Sequence, residues 1–157
     1  MESRQRIQAI SFAHQRLQGN DTVEKLNLKD FLTDLINSIE SASLQPGSSV
    51  KVRSNIENIV VSTEKAVPIG LILNELFTNA LKYAFGPHLP GEIKIDLVSK
   101  SGKLEMVVAD NGSGMQQETK GTGFGHQLVK SMTRQLKAEY FLNLESGVQH
   151  RFLIPLQ

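Results

Sequence analysis

An α+β fold two layers deep is the class this sequence predicts: a two-layer α/β sandwich in which a mixed, mostly antiparallel sheet lies against three helices, preceded by an N-terminal helix. Three observations predict it. The chain has 157 residues, 39% of them hydrophobic, enough for one principal core. Apolar residues alternate through "EIKIDLVS" and "KLEMVVAD" and again through "EYFLNLE" and "VQHRFLIPL", and each pair is separated by a short turn signal. Before and between these pairs, four longer stretches keep the helical period instead.

Taken in order, "ESRQRIQAISFAHQRLQ" sets Ile7, Ile10 and Leu17 with His14 in a heptad-like stripe, a helix with a seam for a partner. "GNDT" breaks it, and "LKDFLTDLINSIESA" restarts the period through Leu28, Phe31, Leu32, Leu35, Ile36 and Ile39. The domain boundary therefore falls in residues 20–27, a linker between an N-terminal segment 1–19 and a domain over 28–157. After "PGSS", the run "VKVRSNIENIVVST" reads as two short strands about Asn55 to Asn58. "TEKAVPIGLILNELFTNALKYAF" is the longest helical pattern, opening on polar residues and Pro68 and stopping at Gly86 before Pro87. The two alternating strands that follow turn at Lys100 to Gly102. A long polar loop, "NGSGMQQETKGTG", then leads to the helix "FGHQLVKSMTRQLKA", and the last two strands turn at Ser146 and Gly147.

Composition narrows the function. A net charge of +1 without a basic run argues against nucleic-acid binding. There is no cysteine for a disulfide frame or thiolate metal site, and His14, His88, His126 and His150 are scattered without ligand spacing. "AVPIGLILNELF" is too short to span a bilayer and carries Glu75, so a cytoplasmic location is the default expectation and no membrane contact is expected of this segment.

Glycine-rich stretches carry the chemistry. "DNGSGM" ends a strand on Asp110 and removes two side chains, at Gly112 and Gly114, where an EF-hand loop would need oxygen ligands. "KGTGFGHQLV" has His126 where a dinucleotide fingerprint needs glycine, and Lys120 precedes its glycines where a P-loop lysine would follow them. What is left is a glycine-rich start to a helix, whose free amides suit an anion such as phosphate. On the long helix, Glu75, Asn79 and Lys82 fall within a narrow sector at about 100° per residue. A carboxylate, an amide and an ammonium would be presented side by side, although a solvated polar stripe has the same spacing. Asn74 and Asn79, two amides in mid-helix, require either a hydrogen-bonding task or solvent.

The order "NELFTNALKYAF", "DNGSG", loop, "GTGFG" resembles the Bergerat (GHKL-type) ATP-binding fold of two-component sensor histidine kinases. "VPIGLILNELFTNALKYAF" is most like the group allied to the HWE kinases, and "ESRQRIQAISFAHQRL" resembles the second helix of their dimerisation and phosphoacceptor hairpin. The resemblance implies ATP and Mg2+ as ligands, transfer of the γ-phosphate to a histidine, a response regulator receiver domain as partner, and a homodimer through the N-terminal helix. It implies that Asp110 bonds the exocyclic amine of adenine, with Gly112 and Gly114 letting backbone approach the base. It makes Asn79 the magnesium ligand. Glu75 would orient or activate the accepting group, Lys82 would meet phosphate, and Tyr83 would pack near the nucleoside. Lys120, Gly121, Gly123 and Gly125 would form a hinge and phosphate cradle, with Asn74, Met115, Thr122 and Phe124 in the same nucleotide-binding set.

The sequence also departs from the family. Its phosphoacceptor motif, His-Arg-x-Lys-Asn on the first hairpin helix, does not occur, and the chain reads as starting after it. His14 matches the histidine of the second helix and reads as a packed seam residue. Phe124 stands where leucine is usual, and Lys137 and Ala138 replace a pair of glycines. Two alternatives share the fold: an anti-sigma-type serine kinase, which would lack the seam helix, and a non-catalytic adaptor, which would be expected to lose Asn79, Asp110 and the glycines.

Overall fold

Asn27 closes a short strand, β1 (Lys25–Asn27), and starts the first helix of the computed structural model, which describes residues 25–86, 89–113 and 123–156. Its Oδ1 accepts the Asp30 amide at 3.1 Å, capping α1 (Leu28–Ser43) by satisfying a donor that the helix cannot. Leu28, Phe31, Leu32, Leu35, Ile36 and Ile39 are all buried, so the helical stripe of the sequence is the core face of α1. The expected N-terminal helix, with Ile7, Ile10, His14 and Leu17, lies outside the described residues.

The next two strands separate rather than pair. β2 (Val50–Ile56) runs parallel to β4 (Gly91–Lys100), with Val50 opposite Gly91 and Ile56 opposite Leu97. β3 (Val60–Ser62) instead pairs antiparallel with β1 as a two-stranded sheet, Leu26 opposite Val61. The Leu28 amide donates to the Ile59 carbonyl at 2.8 Å, and Asn27 Nδ2 donates to Asn58 Oδ1 at 2.6 Å. Lys25 to Asn27, within the stretch read as a linker, are therefore held in a sheet.

The long helix α2 (Thr63–Asn79) passes into one wider, π-type turn over Ala80–Ala84. A Cβ at Gly70 would sit 2.8 Å from the Phe31 ring, so glycine sets how closely α1 and α2 pack. Lys65 Nζ donates to the Pro155 carbonyl at 2.5 Å, tying the start of α2 to the far end of the sheet. β4 turns into β5 (Lys103–Asp110) through Ser101 and Gly102, both at positive φ (53° and 78°). Lys100 pairs with Lys103, so this is a two-residue hairpin turn of the primed kind, whose twist suits the strands it joins.

α3 (Phe124–Gln135), β6 (Glu139–Asn143) and β7 (Val148–Pro155) complete a five-stranded sheet of order β2-β4-β5-β7-β6, antiparallel except for β2. The three helices pack on this sheet, as expected of an α+β sandwich. Ile93, Ile95, Leu97, Leu104, Met106, Val108, Phe152 and Ile154 form the buried side of the strands, every second residue in each. Among the described residues no helix is long and apolar enough to cross a membrane.

His150 sits on that inner row, opposite Val108 and Leu142. Burial lowers its pKa to about 4, and the Tyr140 hydroxyl, itself pushed up to about 12 by burial, lies 2.7 Å from Nδ1. A tyrosine that keeps its proton can donate to a neutral imidazole. Unfolding releases His150 to its ordinary value of 6.5, so its contribution to stability is full above that pH and is lost as pH falls from there toward 4. His150→Gln should flatten this acid limb. Thermal unfolding at pH 7 and pH 4.5 should show wild type losing on the order of 2 kcal/mol more than the variant between the two; equal losses would mean that His150 is not the titrating group.

Candidate functional site

β5 ends on Asp110, and the chain leaves the sheet there under several constraints. Asp110 Oδ1 accepts the Gly112 amide at 3.0 Å and, across the sheet, the Val148 amide at 3.4 Å. The Asn111 amide donates to the Glu92 carbonyl at 3.2 Å, and Asn111 Oδ1 accepts the Glu92 amide at 2.8 Å, so one residue clasps the start of β4 from both sides. The Ser113 amide donates to the Ala84 carbonyl at 3.0 Å, pinning this strand end to the π turn that follows α2.

Gly112 is explained by that last contact. A Cβ there would overlap the Ala84 carbonyl oxygen and lie 2.8 Å from the Ala84 side chain. Gly112 thus has a packing task beside the one expected of it: the space of its side chain is filled by Ala84, and glycine permits the β5 end and the π turn to touch. Gly114 and Met115 lie outside the described residues, as do Lys120, Gly121 and Thr122.

Asp110 is half-buried. Burial raises its pKa above the ordinary carboxylate value, outweighing the opposing effect of the Gly112 and Val148 amides. Both amides converge on Oδ1, leaving Oδ2 as the acceptor without a hydrogen bond among the described residues. A desolvated carboxylate with one oxygen anchored and the other open suits recognition of a single donor on a ligand.

α2 presents its polar residues at different depths, unlike the shared sector read from the sequence. Glu75 is only 6% exposed, whereas Asn79, the last residue of α2, and Lys82, in the π turn, are exposed. Lys82 also lies past the end of the α period, in the turn wound by i→i+5 bonds. Tyr83 follows, 61% exposed. Asn74, at 2% exposure, lies in the interior, where its Oδ1 and the Thr78 hydroxyl one turn on have no hydrogen-bond partner among the described residues.

α3 begins at Gly123 without a side-chain cap, which leaves first-turn amides for another acceptor. A Cβ at Gly123 would meet nothing within 4 Å. Phe124 is exposed and Gly125 partly buried. Among the described residues no three His, Cys, Asp or Glu side chains gather into a metal cage.

Sequence reading missed Asn111, Ala84, Gly147 and Val148, all of which hold Asp110 or the segment after it. Only the glycine left a signal, as part of a turn. The others act through backbone atoms or through strand register, which residue type does not reveal.

The architecture is that of histidine kinase catalytic domains. Superposition on the histidine kinase domain of the Erythrobacter litoralis EL346 blue-light activated histidine kinase gives a TM-score of 0.91 at 23% identity, covering 99% of this chain and 75% of that one. Residues 64–157 match the family described as histidine kinase-, DNA gyrase B-, and HSP90-like ATPase, and the chain belongs to that family. Residues 1–43 match a second model described as histidine kinase. Blue-light-activated histidine kinase 2 of Erythrobacter litoralis is 30% identical over 103 residues, 63% of this chain and 29% of the relative. The blue-light-activated histidine kinase of Brucella anthropi is 28% identical over 148 residues, 88% of this chain and 28% of the relative. The chain thus spans less than a third of the length of these curated relatives.

Proposed function

We propose that this chain holds ATP with Mg2+ and presents the γ-phosphate to a histidine nitrogen, as the catalytic part of a protein-histidine kinase in two-component signalling. The observation that carries the reading is Asp110, a half-buried carboxylate anchored through Oδ1 by two backbone amides, with Oδ2 free of hydrogen bonds among the described residues. Membership of the ATPase family supports a nucleotide as the ligand. Oδ2 accepts from the exocyclic amine of adenine. Tyr83 packs near the nucleoside, and Lys82 and the uncapped first turn of α3, at Gly123, Phe124 and Gly125, face the phosphates. Gly114, Met115, Lys120, Gly121 and Thr122 complete the surrounding loop by resemblance to the family.

The donor set fits magnesium. Asn79 offers one hard amide oxygen at an exposed position, and without a carboxylate cage among the described residues the ion would be shared with phosphate and water. Bound there, Mg2+ supplies neutralisation of phosphate charge. The chain's own residues do the placing: Asn79 and Lys82 orient the phosphates from the end of α2, and Glu75, one turn back and buried, orients the accepting imidazole. In-line attack by that imidazole then depends mainly on position and charge stabilisation. Residues 1–19 serve as the second helix of a dimerisation hairpin, 28–157 as the catalytic domain, and a cytoplasmic response regulator takes the phosphoryl group onward.

Calorimetric titration with ATP, in Mg2+ and in EDTA, tests the site. Asn79→Ala should weaken binding roughly tenfold in Mg2+ and much less in EDTA. Equal losses in the two conditions would remove Asn79 as the ligand, and no ATP binding by wild type would remove the reading itself.

A further inference from the structure

Gly147 lies in the turn between β6 and β7. Its φ is +88°, a conformation that side chains rarely adopt, and a Cβ built on it would overlap the Asp110 carbonyl oxygen. The same Cβ would come within 2.9 Å of the Asp110 carbonyl carbon and 3.0 Å of Asn111 Cα. All three are backbone atoms, which cannot swing aside as a side chain would. The next residue, Val148, donates its amide to Asp110 Oδ1 at 3.4 Å and is the strand partner of Asp110 in the β5–β7 ladder. The turn itself is braced by Asn143 Oδ1, which accepts the Glu145 amide at 2.9 Å.

We infer that Gly147 is a positioning residue for base recognition: by letting the β6–β7 turn close on the Asp110 backbone, it brings the Val148 amide onto Oδ1 and so sets where Oδ2 points. The inference rests on the reading of Asp110 as the adenine-recognising group. A side chain at 147 forces the turn and the β5 end apart. The long Val148 bond is then lost first, and the carboxylate retains only the local Gly112 amide, which lies two residues along and moves with it. Oδ2 no longer has a fixed direction relative to the sheet. Binding through the phosphates is affected little, because the end of α2 and the start of α3 are not part of this contact. The signature is therefore a loss of discrimination at the amine of the base rather than a uniform loss of affinity.

The readout is the ratio of dissociation constants for purine riboside triphosphate, which lacks the amine, and ATP, measured on the whole 157-residue chain. Wild type should prefer ATP by roughly tenfold or more, the value of a hydrogen bond to a charged acceptor. Gly147→Ala should reduce the ratio to about threefold or less. Gly102→Ala is the control, because that residue has a φ of +78° with nothing within 4 Å of its Cβ, so the variant carries similar backbone strain far from Asp110. It should keep the wild-type ratio. If Gly147→Ala does not fold, Asn143→Ala, which only loosens the turn, decides the matter: a lowered ratio supports the inference and an unchanged one overturns it. An unchanged ratio in folded Gly147→Ala, or an equal fall in Gly102→Ala, likewise overturns it. A wild type without preference for the amine would instead remove the reading of Asp110 on which it rests.

Discussion

Asp110→Asn weakens ATP binding by about ten- to a hundredfold, the loss of a hydrogen bond to a charged acceptor, while leaving the unliganded protein at least as stable as wild type at neutral pH. The two halves of this expectation have one cause. Gly112 and Val148 both donate to one oxygen of the carboxylate, and the adenine amine needs an acceptor at the other. An amide has only one oxygen. If it faces the backbone donors, its NH2 meets the adenine amine, donor against donor; if it flips, the NH2 meets the backbone amides. Guanine carries an acceptor where adenine carries that amine, so the variant should also narrow or reverse a preference for ATP over GTP.

The stability half follows from the raised pKa. Burial disfavours the charged form of Asp110 in the native state, so acid favours folding through this group and its contribution falls as pH rises from the unfolded value through the higher folded one. A neutral amide avoids that cost at pH 7. Calorimetry with ATP and GTP, paired with thermal unfolding of the unliganded proteins, reads both. Unchanged nucleotide preference would dispose of the adenine contact, and a marked loss of stability would show Asp110 to be mainly structural.

Phe77→Ala should lower the unfolding free energy by about 3–5 kcal/mol, a large share of the roughly 5–15 kcal/mol that holds a domain together. Phe77 is fully buried on α2, two residues before Asn79. Its ring packs within the same core as Phe31 and Leu35 of α1 and the inner row of the sheet, so truncation removes apolar burial and leaves a cavity that three packed elements cannot readily fill. Urea unfolding should show a lower midpoint with an unchanged slope. A loss of about 1 kcal/mol or less would mean that the neighbouring helices collapse into the space.

Much of the fold is legible in residue spacing. The stripe from Leu28 to Ile39 and the alternation through Ile93, Ile95 and Leu97 each state their own burial, because an amphipathic helix or strand has to put one face inside. The site was partly legible for the same reason. A carboxylate at a strand end followed by glycine is a local pattern, and so is a glycine before a helix. Asn79 at the exposed end of α2 follows from the helical period. Glu75 and Lys82 do not, since one is buried by its neighbours and the other lies past a change of winding that no residue type marks.

By itself, then, the sequence determined the layered α+β class, the run of helices and strands, and the strand-end carboxylate followed by glycine. Tertiary structure alone decided that β3 pairs with β1 rather than β2, that Gly112 is required by the Ala84 carbonyl, and that the Val148 amide, 38 residues further on, reaches Asp110 Oδ1. The division has a physical basis. Periodicity and turn chemistry act over a few residues and are written in side-chain type. Register, winding and the fit of one backbone against another arise only when distant segments meet, and backbone atoms are the same in every residue.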